Sequence, residues 1–308
     1  MVLAFILQFY DSGSDAGFAN RIIDLRELLR CTIAATRRAT RITHVLIVQI
    51  TDMHVAKPGT LFGKRMDTRA AFERCISRVL ALDPKPDLVL LSGDLAKTGA
   101  PEEYDFIAAQ LKRLVCPVGA IPGNHDVREE MLRKIPDCVT EQQGGHLSFV
   151  KENFPLRIIG LDTIVPGKVH GEICENRIAW LRSTLAASEK PALLAMHHPP
   201  FTTGLVAMDN YGIKRGLDEF REIVAEHAKR ICAIVCGHAH RMIVANISGV
   251  PVLLAPASSF PFELALGTPA LNFIEEPQQF LVHSWSEEAG FVSHAAFVDE
   301  FPGPFPVL

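Results

Sequence analysis

The chain has 308 residues, of which 48% are hydrophobic and 21% are charged, so it can bury a sizeable core and extensive disorder is excluded. Its net charge is −4, and no basic stripe outside a short N-terminal cluster indicates a nucleic-acid partner. No apolar run approaches the roughly 20 residues that a membrane-spanning helix needs, so no membrane span is expected.

Residues 1–41 differ in composition from the rest of the chain. Residues 2–10 are apolar but lack the positive flank of a signal peptide, and residues 21–41 are Arg-rich and loosely amphipathic. Three interpretations stay open: an appended helix, a membrane-surface helix, and translation from a start codon upstream of the real one. The first and third are favoured, and the folded domain is predicted to begin near residue 42.

Seven cysteines are scattered along the chain and include no CxxC pair. The oxidised framework of a secreted protein is typically shorter and has an even number of cysteines. The cysteines therefore favour buried thiols in a reducing compartment, and we expect a cytoplasmic location.

From residue 42 onward, short apolar runs rich in Val, Ile and Leu alternate with helical patterns. Polar residues, Pro or Gly bound each run, which is typical of strands buried on both faces. The predicted strands are Val45–Ile50, Leu88–Leu91, Val115–Ile121, Leu156–Leu161, Ala192–Met196, Ile231–Val235 and Val252–Ala255.

Helical spacing of apolar residues predicts four helices, over residues 71–80, from Pro101 onward, over 178–185 and over 220–227. Strands that alternate with helices predict a layered α/β domain, and this pattern alone would fit a plain doubly wound sheet. Residues 259–308 are rich in Phe and Pro and less regular. They are expected to form a small cap or the contact surface of a homo-oligomer.

Five of the predicted strands are followed directly by polar residues of the kinds that bind metals. The five segments are Thr51-Asp52-Met53-His54, Ser92-Gly93-Asp94, Pro122-Gly123-Asn124-His125-Asp126, His197-His198-Pro199-Pro200 and Gly237-His238-Ala239-His240. Open α/β sheets place ligands at the C-terminal ends of their strands. Glycine or proline accompanies four of these five segments, and glycine permits the left-handed turns that aim a side chain into a shared crevice.

The types and order of these side chains predict a metal site. A single DxH or HxH motif occurs often, but five such motifs in order, each at a strand end, are unlikely to be coincidental. Carboxylate, amide and imidazole ligands without thiolates suit Mn, Fe, Zn or Co better than a structural zinc site. The sequence also has no GxSxG motif, which disfavours a serine nucleophile.

The motifs DxH, GD, GNHD, H and GHxH resemble the signature of the calcineurin-like metallophosphoesterase superfamily, over roughly residues 42–258. Phe62-Gly63 with Asp67, residues 99–104 and Met208-Asp209 are similar to two bacterial groups within it. These groups are the glycerophosphodiester phosphodiesterases and the class III cyclic nucleotide phosphodiesterases. The resemblance implies a four-layer αββα fold, in which two packed β-sheets are flanked by helices.

The resemblance also implies a binuclear centre with two divalent metal ions per chain. The implied ligands are Asp52, His54 and His240 for the first metal, Asn124, His197 and His238 for the second, and Asp94 as the bridge between them. His198 would lie behind the ligands or at the surface. The residues implied to bind substrate are His54, Asp94, Asn124, His125 and His240, and those implied in catalysis are Asn124 and His125.

Two metals about 3.5–4 Å apart can hold a phosphoester and generate a bridging hydroxide that attacks phosphorus in line. Asn124 and His125 would offset charge on the non-bridging oxygens, and His125 would protonate the leaving oxygen. The second ester substituent is expected to point outward past Phe62, Tyr104 and Met208.

The predicted function is hydrolysis of a small phosphodiester, either a 3′,5′-cyclic nucleotide or a glycerophosphodiester. A phosphomonoesterase is the alternative, because the same two metals serve both reactions. A scaffold without metals is disfavoured, since no position of the signature has been lost.

Overall fold

The computed structural model describes residues 44–307, so the predicted N-terminal extension lies outside the described residues. All seven predicted strands are present, with ends that shift by a few residues. The strands are β1 (His44–Ile50), β2 (Leu88–Ser92), β3 (Val118–Ile121), β4 (Glu141–Gln142), β5 (His146–Leu147), β6 (Phe149–Lys151), β7 (Arg157–Leu161), β8 (Ala192–Met196), β9 (Ile231–Cys236), β10 (Ile243–Ile247), β11 (Val250–Leu254), β12 (Gln279–Ser286) and β13 (Gly290–Phe297).

The four predicted helices are also confirmed, and two short helices without a clear apolar period join them. The helices are α1 (Thr68–Ala81), α2 (Pro101–Leu111), α3 (Arg128–Lys134), α4 (Glu175–Ala186), α5 (Val206–Asp209) and α6 (Leu217–Glu226), with a 3₁₀ turn at Pro136–Cys138. The Asp67 side chain caps α1 by accepting a hydrogen bond from the backbone N–H of Ala70 at 3.0 Å. The apolar stripe of α1, which includes Phe72 and Ile76, is fully buried.

Two mixed sheets carry these strands. The first has the order β13-β12-β1-β2-β3, and the second has the order β10-β11-β9-β8-β7-β6. In both sheets the central pairs are parallel, namely β1 with β2 and β2 with β3, and β7 with β8 and β8 with β9. The C-terminal ends of these parallel strands lie at one edge of each sheet.

The packing of side chains produces four layers. Val45, Ile47 and Leu90 of the first sheet meet Leu193 and Val235 of the second in a core between the sheets. The opposite face of the first sheet packs on α1, α2 and α3. The opposite face of the second packs on α4 and α6. This arrangement confirms the αββα architecture and excludes a plain doubly wound sheet.

Part of the segment after residue 258 extends the first sheet. Its strand β12 pairs antiparallel with β1, from His44 opposite Ser286 to Gln49 opposite Leu281, and β13 pairs with β12. The physical reason is that β1 would otherwise form an edge of the first sheet and leave its backbone groups unpaired. Residues 279–297 are therefore part of the domain's own sheet.

Between residues 44 and 307, no helix combines the length and the apolar character that crossing a bilayer requires.

Candidate metal centre

The loops at the C-terminal ends of five strands meet where the two sheets adjoin. β1, β2 and β3 are neighbours in the first sheet, and β8 and β9 are neighbours in the second. Hydrogen bonds join the loops across the sheets: His197 Nδ1 donates to the Ser92 carbonyl at 2.9 Å, and the His238 backbone N–H donates to Asp52 Oδ2 at 3.0 Å. All seven residues predicted as metal ligands converge here, and six of them are buried.

The carboxylate of Asp94 lies at the middle of the cluster. Its Oδ2 is 3.5 Å from His54 Nε2, and its Oδ1 is 3.6 Å from His197 Nε2. The backbone N–H of His125 donates to the same Oδ1 at 2.8 Å, which fixes the orientation of the carboxylate. The two oxygens of Asp94 therefore face two different groups of histidines.

The first group contains His54, His240 and Asp52. The Nε2 atoms of the two histidines are 3.1 Å apart, and His240 Nε2 is 3.3 Å from Asp52 Oδ1. His240 Nδ1 lies 2.7 Å from the carbonyl of Phe260, which can only accept, so Nδ1 carries the proton. In the neutral ring, the lone pair of Nε2 then points into the cluster, as a metal ligand requires.

The second group contains His197, His238 and Asn124. Asn124 Oδ1 is 3.2 Å from His197 Nε2 and 3.1 Å from His238 Nδ1. Because His197 Nδ1 donates to the Ser92 carbonyl, its Nε2 is likewise the atom that faces the cluster. An amide oxygen and two imidazoles thus converge beside Asp94.

The electrostatics of the cluster suit a bound cation. Among residues 44–307, Asp52 and Asp94 have only imidazoles as ion-pair partners, although both carboxylates are buried. Burial alone would raise the pKa of Asp94, but the charge of His197 and a hydrogen bond to it hold that pKa well below its usual range. Burial would lower the pKa of His197, but the charge of Asp94 outweighs this effect and raises that pKa to about 9. The donor set therefore fits divalent metals, which would replace the shared protons.

The backbone of the ligand residues is strained. Asp52, His54, Asp94, His238 and His240 all have positive φ, between 42° and 74°. Such a conformation costs about 1–3 kcal/mol for each residue other than glycine and persists mainly at functional sites. Left-handed turns were expected at the neighbouring glycines, but the ligand residues themselves adopt most of them.

Two of the neighbouring glycines are required by close approach instead. A Cβ atom on Gly123 would lie 2.2 Å from Asp94 Oδ1, and one on Gly237 would lie 2.1 Å from Thr51 Oγ1. Neither glycine has a positive φ. Their role is to let adjacent loops pack directly against the carboxylates of Asp94 and Asp52.

His125 occupies a different position from the other histidines. Its Nδ1 donates to the Lys97 carbonyl at 2.9 Å, so its Nε2 is the free atom, and the ring lies edge-on to His54 with centroids 4.7 Å apart. His125 also belongs to a group with His54 and Asp94 whose ligand atoms lie within 4.8 Å of one another. It therefore borders the cluster.

Tyr104 does not border the site as expected. It is fully buried, and its hydroxyl donates to Asp126 Oδ1 at 2.9 Å. The Asp126 carboxylate also accepts the backbone N–H groups of Leu95, Ala96 and Gly123. Tyr104 and Asp126 together hold the loops after β2 and β3 in place. The Tyr104 ring is buried because it lies on the face of α2 that packs into the core.

His198 is buried and has partners for both ring nitrogens. Its Nε2 donates to the Val169 carbonyl at 2.9 Å, and its Nδ1 accepts from the Thr163 hydroxyl at 2.8 Å. Burial and then the charge of His197 lower the pKa of His198 to about 3, so the ring is neutral. With both nitrogens engaged, His198 anchors the loop around Val169, while its ring also lies in a group with His197 and His238 whose ligand atoms are within 4.8 Å of one another.

A cavity of about 240 Å³ opens beside the cluster. Polar side chains in its lining belong to the cluster, His125, Lys97 and Tyr211, and the other lining residues are apolar and mostly Phe. The lining residues are His54, Asp94, Asn124, His125, His238, His240, Lys97, Phe62, Val169, Met208, Tyr211, Phe260, Phe262, Leu271 and Phe273. The aromatic wall from residues 260–273 was not foreseen, although the clustering of Phe in that segment was a visible signal.

Residues 45–242, which contain all seven predicted ligands, match the family model described as calcineurin-like phosphoesterase. The chain belongs to the calcineurin-like phosphoesterase family. The resemblance seen in the sequence motifs is thereby confirmed.

Curated relatives of this phosphoesterase span most of its length. It is 35% identical over 264 residues to a probable glycerophosphodiester phosphodiesterase GpdQ from Arcobacter nitrofigilis, covering 85% of this chain and 96% of the relative. It is 33% identical over 224 residues to a probable cyclic nucleotide phosphodiesterase from Synechococcus sp., covering 70% of this chain and 82% of the relative.

Solved structures share the fold of this phosphoesterase at low sequence identity. A purple acid phosphatase from yellow lupin (Lupinus luteus) seeds superposes with a TM-score of 0.60 at 12% identity, covering 83% of this chain and 52% of the other. At this identity the similarity concerns the fold alone, and it agrees with the four layers described above.

Proposed function

We propose that this phosphoesterase hydrolyses a small phosphodiester with the help of two divalent metal ions. The proposed ligands are Asp52, His54 and His240 for one ion, Asn124, His197 and His238 for the other, and Asp94 for both. The metals are of the Fe, Mn, Zn or Co type, because the ligands are carboxylate, amide and imidazole.

The observation that carries this proposal is the position of Asp94. One of its oxygens faces His54 at 3.5 Å and the other faces His197 at 3.6 Å, so a single carboxylate is shared by two groups of ligands. A site for one ion needs no such sharing. When bound, the metals would supply Lewis-acid activation of the ester and a water of lowered pKa.

The residues of the chain would bind and orient the ester. Asn124 and His125 lie at the border of the cluster and are only partly buried, so they can contact a phosphoryl group. The amide N–H₂ of Asn124 can donate to a non-bridging oxygen while its Oδ1 faces the histidines. His54, Asp94 and His240 complete the proposed substrate-contacting set.

His125 is the proposed general acid. The Lys97 carbonyl fixes the proton on Nδ1, so the Nε2 atom exchanges a proton with the departing oxygen when the ring is protonated. A proton from His125 would neutralise the charge on a departing alkoxide, which is a poor leaving group without it.

The cavity favours a diester over a monoester. It extends from the cluster to Phe62, Met208 and the aromatic side chains of residues 260–273, which leaves room for a second substituent. The relatives from Arcobacter nitrofigilis and Synechococcus sp. are both named as phosphodiesterases, one for glycerophosphodiesters and one for cyclic nucleotides. Both substrate classes remain candidates here.

We expect bis(p-nitrophenyl) phosphate to be hydrolysed with a higher kcat/KM than p-nitrophenyl phosphate at neutral pH. The monoester dianion can bind across both metals in an unproductive pose, whereas the second aryl group of the diester fits the cavity. The measurement is kcat/KM for both compounds under the same metal, with glycerophosphocholine and cyclic AMP as natural candidates. A preference for the monoester by about tenfold or more, ~1.4 kcal/mol, would support the phosphomonoesterase alternative.

The contrast between His197→Ala and His198→Ala tests the ligand set. His197→Ala removes a proposed ligand and is expected to lower the metal content by about one equivalent per chain. His198→Ala removes only the bonds to Thr163 and Val169, so both metals should remain. Elemental analysis of the two purified variants decides, and equal metal loss in both would refute the distinction between the two histidines.

The tail of the chain stays a predicted contact surface of a homo-oligomer. Phe301 and Phe305 are 57% and 76% exposed, and such large apolar side chains are what an oligomer contact would cover.

A further inference from the structure

Lys97 is the only Lys or Arg among the residues that line the cavity. Its ammonium has no carboxylate within ion-pair distance among the described residues, although the side chain is partly buried. Burial lowers the pKa of Lys97, and the charges of Asp94 and Glu103 counter this effect. The cavity therefore contains one ammonium without a carboxylate partner, beside the cluster of proposed ligands.

The ammonium of Lys97 is held against Phe62. Its Nζ lies over the Phe62 ring at 4.7 Å from the centroid, a cation–π contact. Phe260 stacks on Phe62 with centroids 3.6 Å apart and an interplanar angle of 7°. Because one face of Phe62 packs on Phe260 and Lys97 lies over the ring, Phe62 cannot also receive a cationic ligand.

Lys97 lines the same cavity as the proposed general acid. Its carbonyl accepts the Nδ1 proton of His125, the proposed general acid. Because both residues line the cavity, a group that leaves with a proton from His125 departs into the space that also holds the Lys97 ammonium. Of the acidic side chains, only Asp94 lines the cavity, and it is engaged by the histidines, so nothing there would neutralise a positively charged substituent.

Resting on the proposed phosphodiesterase function, we propose that Lys97 determines the substrate class. Diesters whose departing group is flat and uncharged, such as an aryl group, are accepted against the aromatic wall. Diesters whose departing group carries a quaternary ammonium are disfavoured by the like charge of Lys97, so glycerophosphocholine, when choline departs, is a weaker natural candidate than a cyclic nucleotide. The aromatic residues that line the cavity would by themselves attract such a cation, so the charge of Lys97 reverses their preference for a cationic departing group.

The test uses two diesters of matched shape, methyl 4-tert-butylphenyl phosphate and methyl 4-(trimethylammonio)phenyl phosphate. The ratio of their kcat/KM values is measured for the wild type and for Lys97→Met, which keeps the length of the side chain and removes the charge. Comparing the two ratios cancels the intrinsic difference between the leaving groups. We expect Lys97→Met to shift the ratio about tenfold towards the cationic ester, the size expected for one like charge in a partly screened site.

Controls separate charge from structure. Lys97→Arg keeps the charge and should keep the wild-type ratio, and Lys112→Met removes an exposed lysine that does not line the cavity and should also leave it unchanged. Metal content is measured in every variant. If Lys97→Met fails to fold, only the wild type is used. Its ratio of kcat/KM values for the two esters is compared with the ratio of their rate constants in alkaline hydrolysis. The enzyme should disfavour the cationic ester by about tenfold more than hydroxide does.

The outcomes are distinct. Hydrolysis of both esters with a ratio that Lys97→Met leaves within about twofold of the wild type would overturn the role of Lys97 and leave the phosphodiesterase function intact. Hydrolysis of neither ester under any of the candidate metals would overturn the proposed function, and the role of Lys97 with it.

Discussion

Asp94→Asn is expected to remove about one metal equivalent or more and to lower kcat by at least ~10²-fold. The carboxylate of Asp94 faces both groups of ligands, because its Oδ2 lies 3.5 Å from His54 Nε2 and its Oδ1 lies 3.6 Å from His197 Nε2. A neutral amide offers one oxygen and places an N–H₂ group against the other histidine. The loss should therefore affect both groups of ligands at once.

Metal analysis together with kcat measures this result, and Asp67→Asn is the matched control. The same chemical change there keeps the cap of α1, because an Asn side chain accepts the Ala70 N–H as well as Asp does. If Asp94→Asn retained two metals per chain and near-normal turnover, the shared carboxylate would not be a ligand.

His125→Ala is expected to keep its metals while the rate falls by ~10²–10⁴-fold, the range for loss of a general acid. The ring borders the cluster, and its Nδ1 is engaged by the Lys97 carbonyl. Its removal therefore deletes a proton donor and leaves the seven proposed ligands in place.

The competing interpretation is that His125 is itself a ligand, since its ring lies close enough to His54 and Asp94 to share an ion with them. Elemental analysis distinguishes the two, because loss of metal in His125→Ala would make it a ligand. His294→Ala, at an exposed position on β13, is the control and should change neither metal content nor rate.

Much of this site could be predicted because each proposed ligand lies within a few residues of the strand that positions it. Asp52 and His54 follow β1 within four residues, and the other ligands follow their strands equally closely. A buried strand reads as an apolar run, and parallel strands place their ends together. These two facts bring the ligands together within each sheet, whereas the meeting of the two sheets at one site was implied only by the resemblance.

Features that depend on contacts distant in sequence could not be predicted. The pairing of β12 with β1 joins residues more than two hundred positions apart, and the alternating burial of Gln279–Ser286 does not show which strand it will join. For the same reason, nothing in the sequence placed Phe260 on Phe62 or Lys97 over the same ring. Tyr104 lies in a motif resembling that of related enzymes, but its side chain points into the core.

The position of β12 has a consequence for how the protein acquires its metals during synthesis. A nascent chain that has emerged as far as residue 242 contains every proposed ligand. The strand β1, which precedes Asp52 and His54, still lacks its antiparallel neighbour, because β12 begins at Gln279. Pairings between distant segments form late, so the first sheet is completed only after residues 279–297 have emerged. An ion bound earlier would be held by loops whose supporting strand is still an open edge, so we expect stable loading only after β12 has paired with β1.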